Sequence, residues 1–130
     1  MNYFYIICPV GTDPMFSLKK SVLRDLGDEY SMEPFFPLEH HPTFSMETVS
    51  RDVRLAALVL ADLSLERPSC YFELGIAEAL GTKVAVIAAK NTMIHQVGSA
   101  PNVSFYSNIT EYRSVVSGIL ASYGATSVGH

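Results

Sequence analysis

The sequence predicts an α/β fold: a flavodoxin/Rossmann-like three-layer sandwich, with a five-stranded parallel sheet in the order 2-1-3-4-5 between helical layers. Three observations carry this. Apolar, β-favouring runs alternate with runs of helical period along the chain. The central runs Ala57–Asp62 and Lys83–Ala89 show no polar alternation, as expected of strands covered on both faces. The weakest strand candidate is interrupted by Pro34 and followed by Pro37, and a strand with prolines belongs at a sheet edge. Residues 1–123 read as one domain, and 124–130 as a flexible C-terminal tail.

Asn2–Cys8 is the first strand, a continuous apolar run stopped by Pro9, Gly11 and Pro14. Asp13 or Thr12 caps the next helix, with Pro14 at its first position. That helix spans about Met15–Leu26, its apolar stripe formed by Phe16, Val22, Leu23 and Leu26, and Gly27 ends it. Tyr30–Phe36 is the second strand, and a loop carrying His40 and His41 follows. A second helix begins at Thr43 or Ser45 and runs to about Ala56, with Met46, Val49, Val53 and Ala56 at helical spacing. Strand three is Ala57–Asp62. Ser69–Leu80 is the next helix, closed by Gly81, and Lys83–Ala89 is strand four. The segment from Lys90 to Asn102 is polar and mixed. Val103–Tyr106 is a short fifth strand, and Thr110–Tyr123 the last helix.

Composition narrows the function. The chain has 130 residues, 48% apolar and 17% charged, with a net charge of −4. That balance excludes a disordered chain, and the lack of a basic cluster beyond Lys19-Lys20 argues against a nucleic-acid partner. A single nucleotide stays open, since backbone amides at a helix start hold a phosphate without basic side chains. The first apolar run is too short for a signal peptide, and none approaches the roughly 20 residues of a membrane span. Cys8 and Cys70 have no zinc-like spacing, and Cys8, His40 and His41 lack a further spaced ligand, so no metal is expected. A reduced, cytoplasmic protein is the expectation.

Open parallel sheets bind ligands beyond the carboxyl ends of the strands, where strand order reverses. Here that point lies between strands one and three. The loops meeting there are Pro9–Asp13 and Asp62–Cys70; Arg51 and Asp52 are expected further away. Glu73 falls in the first turn of the helix leaving this edge. With Ser69 as N-cap, Glu73 lies one residue past the capping-box position. It either complements the helix dipole or is free for chemistry. Asp62, at the end of a buried strand, either caps its own turn or joins Glu73 in a cleft, where paired carboxylates divide the roles of nucleophile and acid/base group. Tyr71 opens the same helix and is placed to stack on a base, while Asn91, just past strand four, is placed to line the pocket.

These residues resemble a known family. Ala61-Asp62-Leu63-Ser64, the run Pro68–Ala77 with its Tyr71-Phe72-Glu73-Leu74-Gly75-Ile76-Ala77 core, Ala79-Leu80-Gly81, and Lys83–Ile87 are similar to the core of the nucleoside 2-deoxyribosyltransferase-like proteins. TIR-type NAD glycohydrolases share a related arrangement. The resemblance covers about residues 3 to 90. It implies N-glycosidic chemistry: a glutamate, Glu73 by position, attacks C1′ of the sugar, the base leaves, and water or a second base resolves the glycosyl-enzyme. The oxocarbenium-like transition state is stabilised by such an anion, and a helix N-terminus is expected to keep it ionised. Gly75 is expected to allow close packing. The segment Ile7-Cys8-Pro9-Val10-Gly11 is similar to the family's substrate-binding first loop, and Asp62 or Ser64 is expected to bind sugar hydroxyls.

The chain departs from the deoxyribosyltransferases in the loop Leu65-Glu66-Arg67-Pro68-Ser69, which lacks their Asp and Gly. Arg67 and Ser69 there suit a phosphate, which favours a nucleotide, or NAD as substrate rather than cofactor. A homo-oligomer is also implied. The alternative is a non-catalytic module that senses a nucleotide, or that signals by TIR-like self-association.

Overall fold

The computed structural model describes residues 2–94 and 102–128, the last four of these as backbone only. Five parallel strands form one sheet in the order β2-β1-β3-β4-β5. They are β1 (Tyr3–Ile7), β2 (Glu33–Phe35), β3 (Leu58–Asp62), β4 (Val84–Ala89) and β5 (Val103–Tyr106). Five helices flank them: α1 (Phe16–Tyr30), α2 (Pro37–His40), α3 (Met46–Leu55), α4 (Pro68–Ala79) and α5 (Ile109–Val128). Fold class and strand order are those expected from the sequence.

Strand alternation sorts the core into two layers. Phe4 and Ile6 of β1, Leu58 and Leu60 of β3, and Ile87 of β4 face α1 and α5, packing on Leu23, Leu26, Tyr112, Val116 and Leu120. Tyr5, Ile7, Val59, Ala61 and Val86 face the other way, onto Val49 and Val53 of α3 and Cys70, Leu74 and Ala77 of α4. β3 is buried at every position, which is why its sequence lacks alternation.

Boundaries differ from expectation in instructive ways. α1 does not stop at Gly27; it runs to Tyr30 and ends where Ser31 turns left-handed, φ 54°. Gly27 serves packing instead. A Cβ there would lie 2.7 Å from the Met32 carbonyl oxygen and 2.8 Å from Pro34 Cδ, so only glycine lets the helix approach the β2 turn. The four-residue α2 was not foreseen, although Pro37 supplies its start. Ser45 is the N-cap of α3, its hydroxyl accepting the Thr48 amide at 3.4 Å. The last helix continues to Val128, so residues 124–128, expected as tail, are helical. Residues 95–101, within the polar segment after β4, and 129–130 lie outside the described residues.

One ionic cluster ties the carboxyl edge of the sheet together. Lys19 of α1 is only 7% exposed. Its ammonium contacts Asp13 Oδ2 at 2.5 Å and Asp62 Oδ2 at 3.2 Å, and lies over the rings of Tyr106 and Tyr112 at 5.0 and 5.5 Å. Burial alone would lower its pKa, but Asp62 and the hydrogen bond to Asp13 outweigh that and raise it. Removing one member of a buried cluster strands the others. Lys19→Met is therefore expected to cost about 3–5 kcal/mol in urea denaturation. A loss under about 1 kcal/mol, the size of a surface pair, would contradict this account of the cluster.

Candidate active site

A cavity of about 490 Å³ opens at the carboxyl end of β1. Its walls come from the loop after β1 (Cys8 to Thr12), the segment from Phe36 to Asp52, and the start of α4. Glu73 lines it, and so do Pro9, Val10, Gly11 and Ser69, as the sequence led us to expect. The cavity lies at the strand-order reversal but extends towards β2, under α2 and α3.

Glu73 does not sit where the sequence placed it. The N-cap of α4 is Arg67, not Ser69, and Pro68 is the first helical residue. Glu73 is thus in the second turn, beyond the strong part of the helix dipole. Burial consequently dominates: its pKa is raised, not lowered as expected, with only the hydrogen bond from Tyr5 opposing. The Tyr5 hydroxyl donates to Glu73 Oε2 at 3.2 Å. Tyr5 is fully buried on the β1 face that packs on α4, so its ring belongs to the core while its hydroxyl emerges under the carboxylate. Burial and the charge of Glu73 push the Tyr5 phenol well up, which keeps it a donor. Gly75 is exposed and nothing lies within 4 Å of where its Cβ would be, so the expected close packing there is absent.

Four other sequence candidates lie away from this cavity. Asp62 and Ser64 are buried in the ionic cluster. Asp62 Oδ1 accepts from the Ser64 amide at 3.0 Å and hydroxyl at 2.6 Å, and Oδ2 accepts from Tyr106 at 2.7 Å as well as from Lys19. Ser64 Oγ also accepts the Ala89 amide at 2.7 Å. The Tyr71 hydroxyl donates to Glu66 Oε1 at 3.3 Å. Asn91, left-handed at φ 72°, borders a separate shallow surface with Phe105 and Glu111.

The structure adds residues that the sequence reading set aside. Asp52, expected far from the mouth, lines the cavity and is 7% exposed. Side chains lean towards the N-terminus of their helix, so Asp52 near the end of the short α3 points back up to the mouth. Its position beside Val49 and Val53 on the buried face was a readable signal: a carboxylate on an apolar stripe. Asp52 Oδ2 pairs with His41 Nε2 at 3.0 Å and Oδ1 with Arg51 Nε at 3.3 Å. The other histidine, His40, stacks on Phe35 at 4.3 Å. Lys20, Phe16, Phe36 and Phe44 complete a wall both apolar and cationic, with Lys20 ion-paired to Glu39. Cys8 also lines the cavity, and burial holds its thiol well above the usual range; Cys70 is likewise raised by burial, to about 11. Among the described residues, no group of three or more His, Cys, Asp or Glu side chains gathers as metal ligands would, and no helix is long and apolar enough to cross a membrane.

No protein-family profile and no curated protein matches the chain. Solved structures do. A 2-desoxiribosyltransferase from Leishmania mexicana superposes with a TM-score of 0.53 at 22% identity, over 68% of this chain and 65% of that one. This chain therefore spans just under two thirds of its length. The Clostridium botulinum CMP N-glycosidase BcmB superposes with a TM-score of 0.65 at 16% identity, over 88% of this chain and 98% of that one. The fold is that of the nucleoside 2-deoxyribosyltransferase-like proteins. Both of these neighbours are named for enzymes of nucleoside or nucleotide glycosyl chemistry, one a transferase and one an N-glycosidase. Within this fold, the present chain places its cavity carboxylate on α4, directly over a β1 tyrosine.

The sign of the Glu73 shift yields a stability prediction. Its native pKa lies above the unfolded value, so the native state favours the protonated carboxyl. That contribution is full below the ordinary carboxylate range and is lost as pH rises through the native pKa. Glu73→Gln removes the penalty while keeping an acceptor for Tyr5. The variant is expected to melt higher than wild type at pH 7.5, with the gap closing below about pH 4. An equal or lower melting temperature at pH 7.5 would contradict the burial account.

Proposed function

We infer that this protein cleaves, or transfers across, the N-glycosidic bond of a nucleoside or nucleotide, with Glu73 as the nucleophile at C1′. The observation that carries the reading is the Glu73 carboxylate, half-buried in the wall of a ligand-sized cavity and oriented by the Tyr5 hydroxyl. A desolvated carboxylate of raised pKa is a stronger nucleophile once ionised, and a neutral tyrosine fixes its direction without quenching its charge. The fold shared with a deoxyribosyltransferase and a CMP N-glycosidase supports the same chemistry.

In the proposed reaction a Glu73 oxygen bonds to C1′ as the bond to the base nitrogen breaks. The electron pair leaves with the base, which takes up a proton. A glycosyl ester remains on Glu73. Water, or a second base, then attacks C1′, and Glu73 departs as the free carboxylate. Phe44, 60% exposed at the cavity rim, offers a face on which the base stacks. Lys20 and Arg67, both lining the cavity, supply positive charge for a phosphate, which favours a nucleotide over a nucleoside. No cofactor is needed for this chemistry.

The test is base release followed by chromatography, with deoxynucleosides, nucleoside monophosphates and NAD, each with and without an added free base. Wild type is expected to release base from at least one. Glu73→Gln should lose about 10⁴-fold or more in kcat/KM on it. Because burial raises the Glu73 pKa, the acid limb of the wild-type kcat/KM profile should lie above the ordinary glutamate value. Base release that survives in Glu73→Gln would overturn the reading. Silence on every substrate would favour a nucleotide-sensing module instead.

A further inference from the structure

The reaction above leaves one requirement unassigned. A departing nucleobase leaves as a poor anion unless it is protonated as the bond breaks. Glu73, as the nucleophile, cannot supply that proton. Tyr5 donates to Glu73 and has its pKa raised well above the ordinary phenol value, so it is also a poor source.

A different pair in the cavity has the right chemistry. His41 and Asp52 both line it, and come from the segment facing α4 rather than from α4 itself. His41 Nε2 lies 3.0 Å from Asp52 Oδ2, which leaves Nδ1 as the ring nitrogen not engaged by the carboxylate. The Asp52 side chain is 10% exposed and that of His41 36%, so the acid is sheltered while the imidazole is open to the cavity and to solvent. Asp52 is fixed on its other side: Oδ1 accepts from Arg51 Nε at 3.3 Å, and its backbone carbonyl accepts the Tyr3 hydroxyl at 2.5 Å. The His41 amide donates to the Pro37 carbonyl at 2.8 Å, which anchors the ring's own backbone. The groups facing His41 are Asp52 from α3, with Arg51 behind it, and the His40 ring at 6.3 Å.

We propose that His41, oriented by Asp52, is the general acid that protonates the departing base and the general base that then activates water. This rests on the Glu73 reading. In the first half-reaction the C1′–N bond breaks, the base nitrogen takes the proton from His41 Nδ1, and His41 becomes neutral. In the second, neutral His41 takes a proton from the attacking water. The oxygen bonds to C1′, the ester to Glu73 breaks, and both Glu73 and His41 return to their starting states. Asp52 is a positioning residue: it touches His41, not the reacting atoms.

The discriminating readout is leaving-group dependence. Base release is measured from cytidine 5′-monophosphate and from its 5-fluoro counterpart, whose base is a better leaving group and needs less help from an acid. His41→Asn is expected to lose about 10²–10³-fold on the native base and much less on the fluorinated one, so the fluoro-to-native rate ratio rises well above wild type. Asp52→Asn should shift the ratio in the same direction. His41→Gln, with unchanged melting temperature, guards against a folding defect. Equal losses on both substrates would overturn the acid role and leave Glu73 untouched. Persistence of both rates in Glu73→Ala, or silence of wild type on these two and on every substrate of the panel above, would instead overturn the underlying reading.

Discussion

Asp62 and Glu73 lie near the carboxyl edge of this sheet, the first buried and the second half-buried, and their surroundings give them opposite fates. Asp62 ends β3 with all its acceptor capacity engaged: an ammonium, a phenol, a hydroxyl and an amide. Glu73, across the edge, accepts from the neutral Tyr5 hydroxyl, and burial raises its pKa. Charge removed from water is costly unless it is paired. The fold pairs Asp62 with an ammonium and, among the described residues, leaves Glu73 without one at the wall of the cavity.

That division also builds the site. The Lys19 cluster joins α1, the loop after β1, β3 and β5, and so fixes Asp13 and the Pro9–Gly11 turn that floors the cavity. Asp13 Oδ1 also accepts the Met15 amide at 2.8 Å, which turns the chain into α1. On the opposite wall, α2 is held by Glu39, which pairs with Lys20 and, at 3.1 Å, with Arg24. These contacts are partly exposed and contribute little to stability; their effect is to place α2, and hence His41, over the mouth. Strand alternation does the rest: it sends Phe4 and Ile6 to one layer and delivers the Tyr5 hydroxyl to the other, beneath α4.

Much of this was legible in the chain. Unbroken apolar runs in β3 and β4 gave the parallel sheet, and prolines in β2 gave its edge position. Glu73 stood out as a carboxylate near the start of a mostly apolar helix. What was not legible depended on distance in space. Whether Asp62 faces a ligand or a lysine is not decided by the chain alone, because Lys19 lies 43 positions away in sequence. The N-cap of α4 is Arg67, not Ser69, two residues earlier, so Glu73 falls outside the first turn, and burial raises its pKa. Asp52 was discounted because its helix leads away from the mouth, and the backward lean of its side chain was overlooked.

The central claim is that Glu73 forms a bond to the sugar. The direct measurement is rapid acid quench of wild type during turnover of a nucleotide it cleaves, followed by proteolysis and mass spectrometry. The account predicts a peptide containing Glu73 heavier by the mass of the bound sugar phosphate, absent in Glu73→Gln. Steady base release with no adduct at Glu73 under any quench time, or an adduct on another residue, would contradict it.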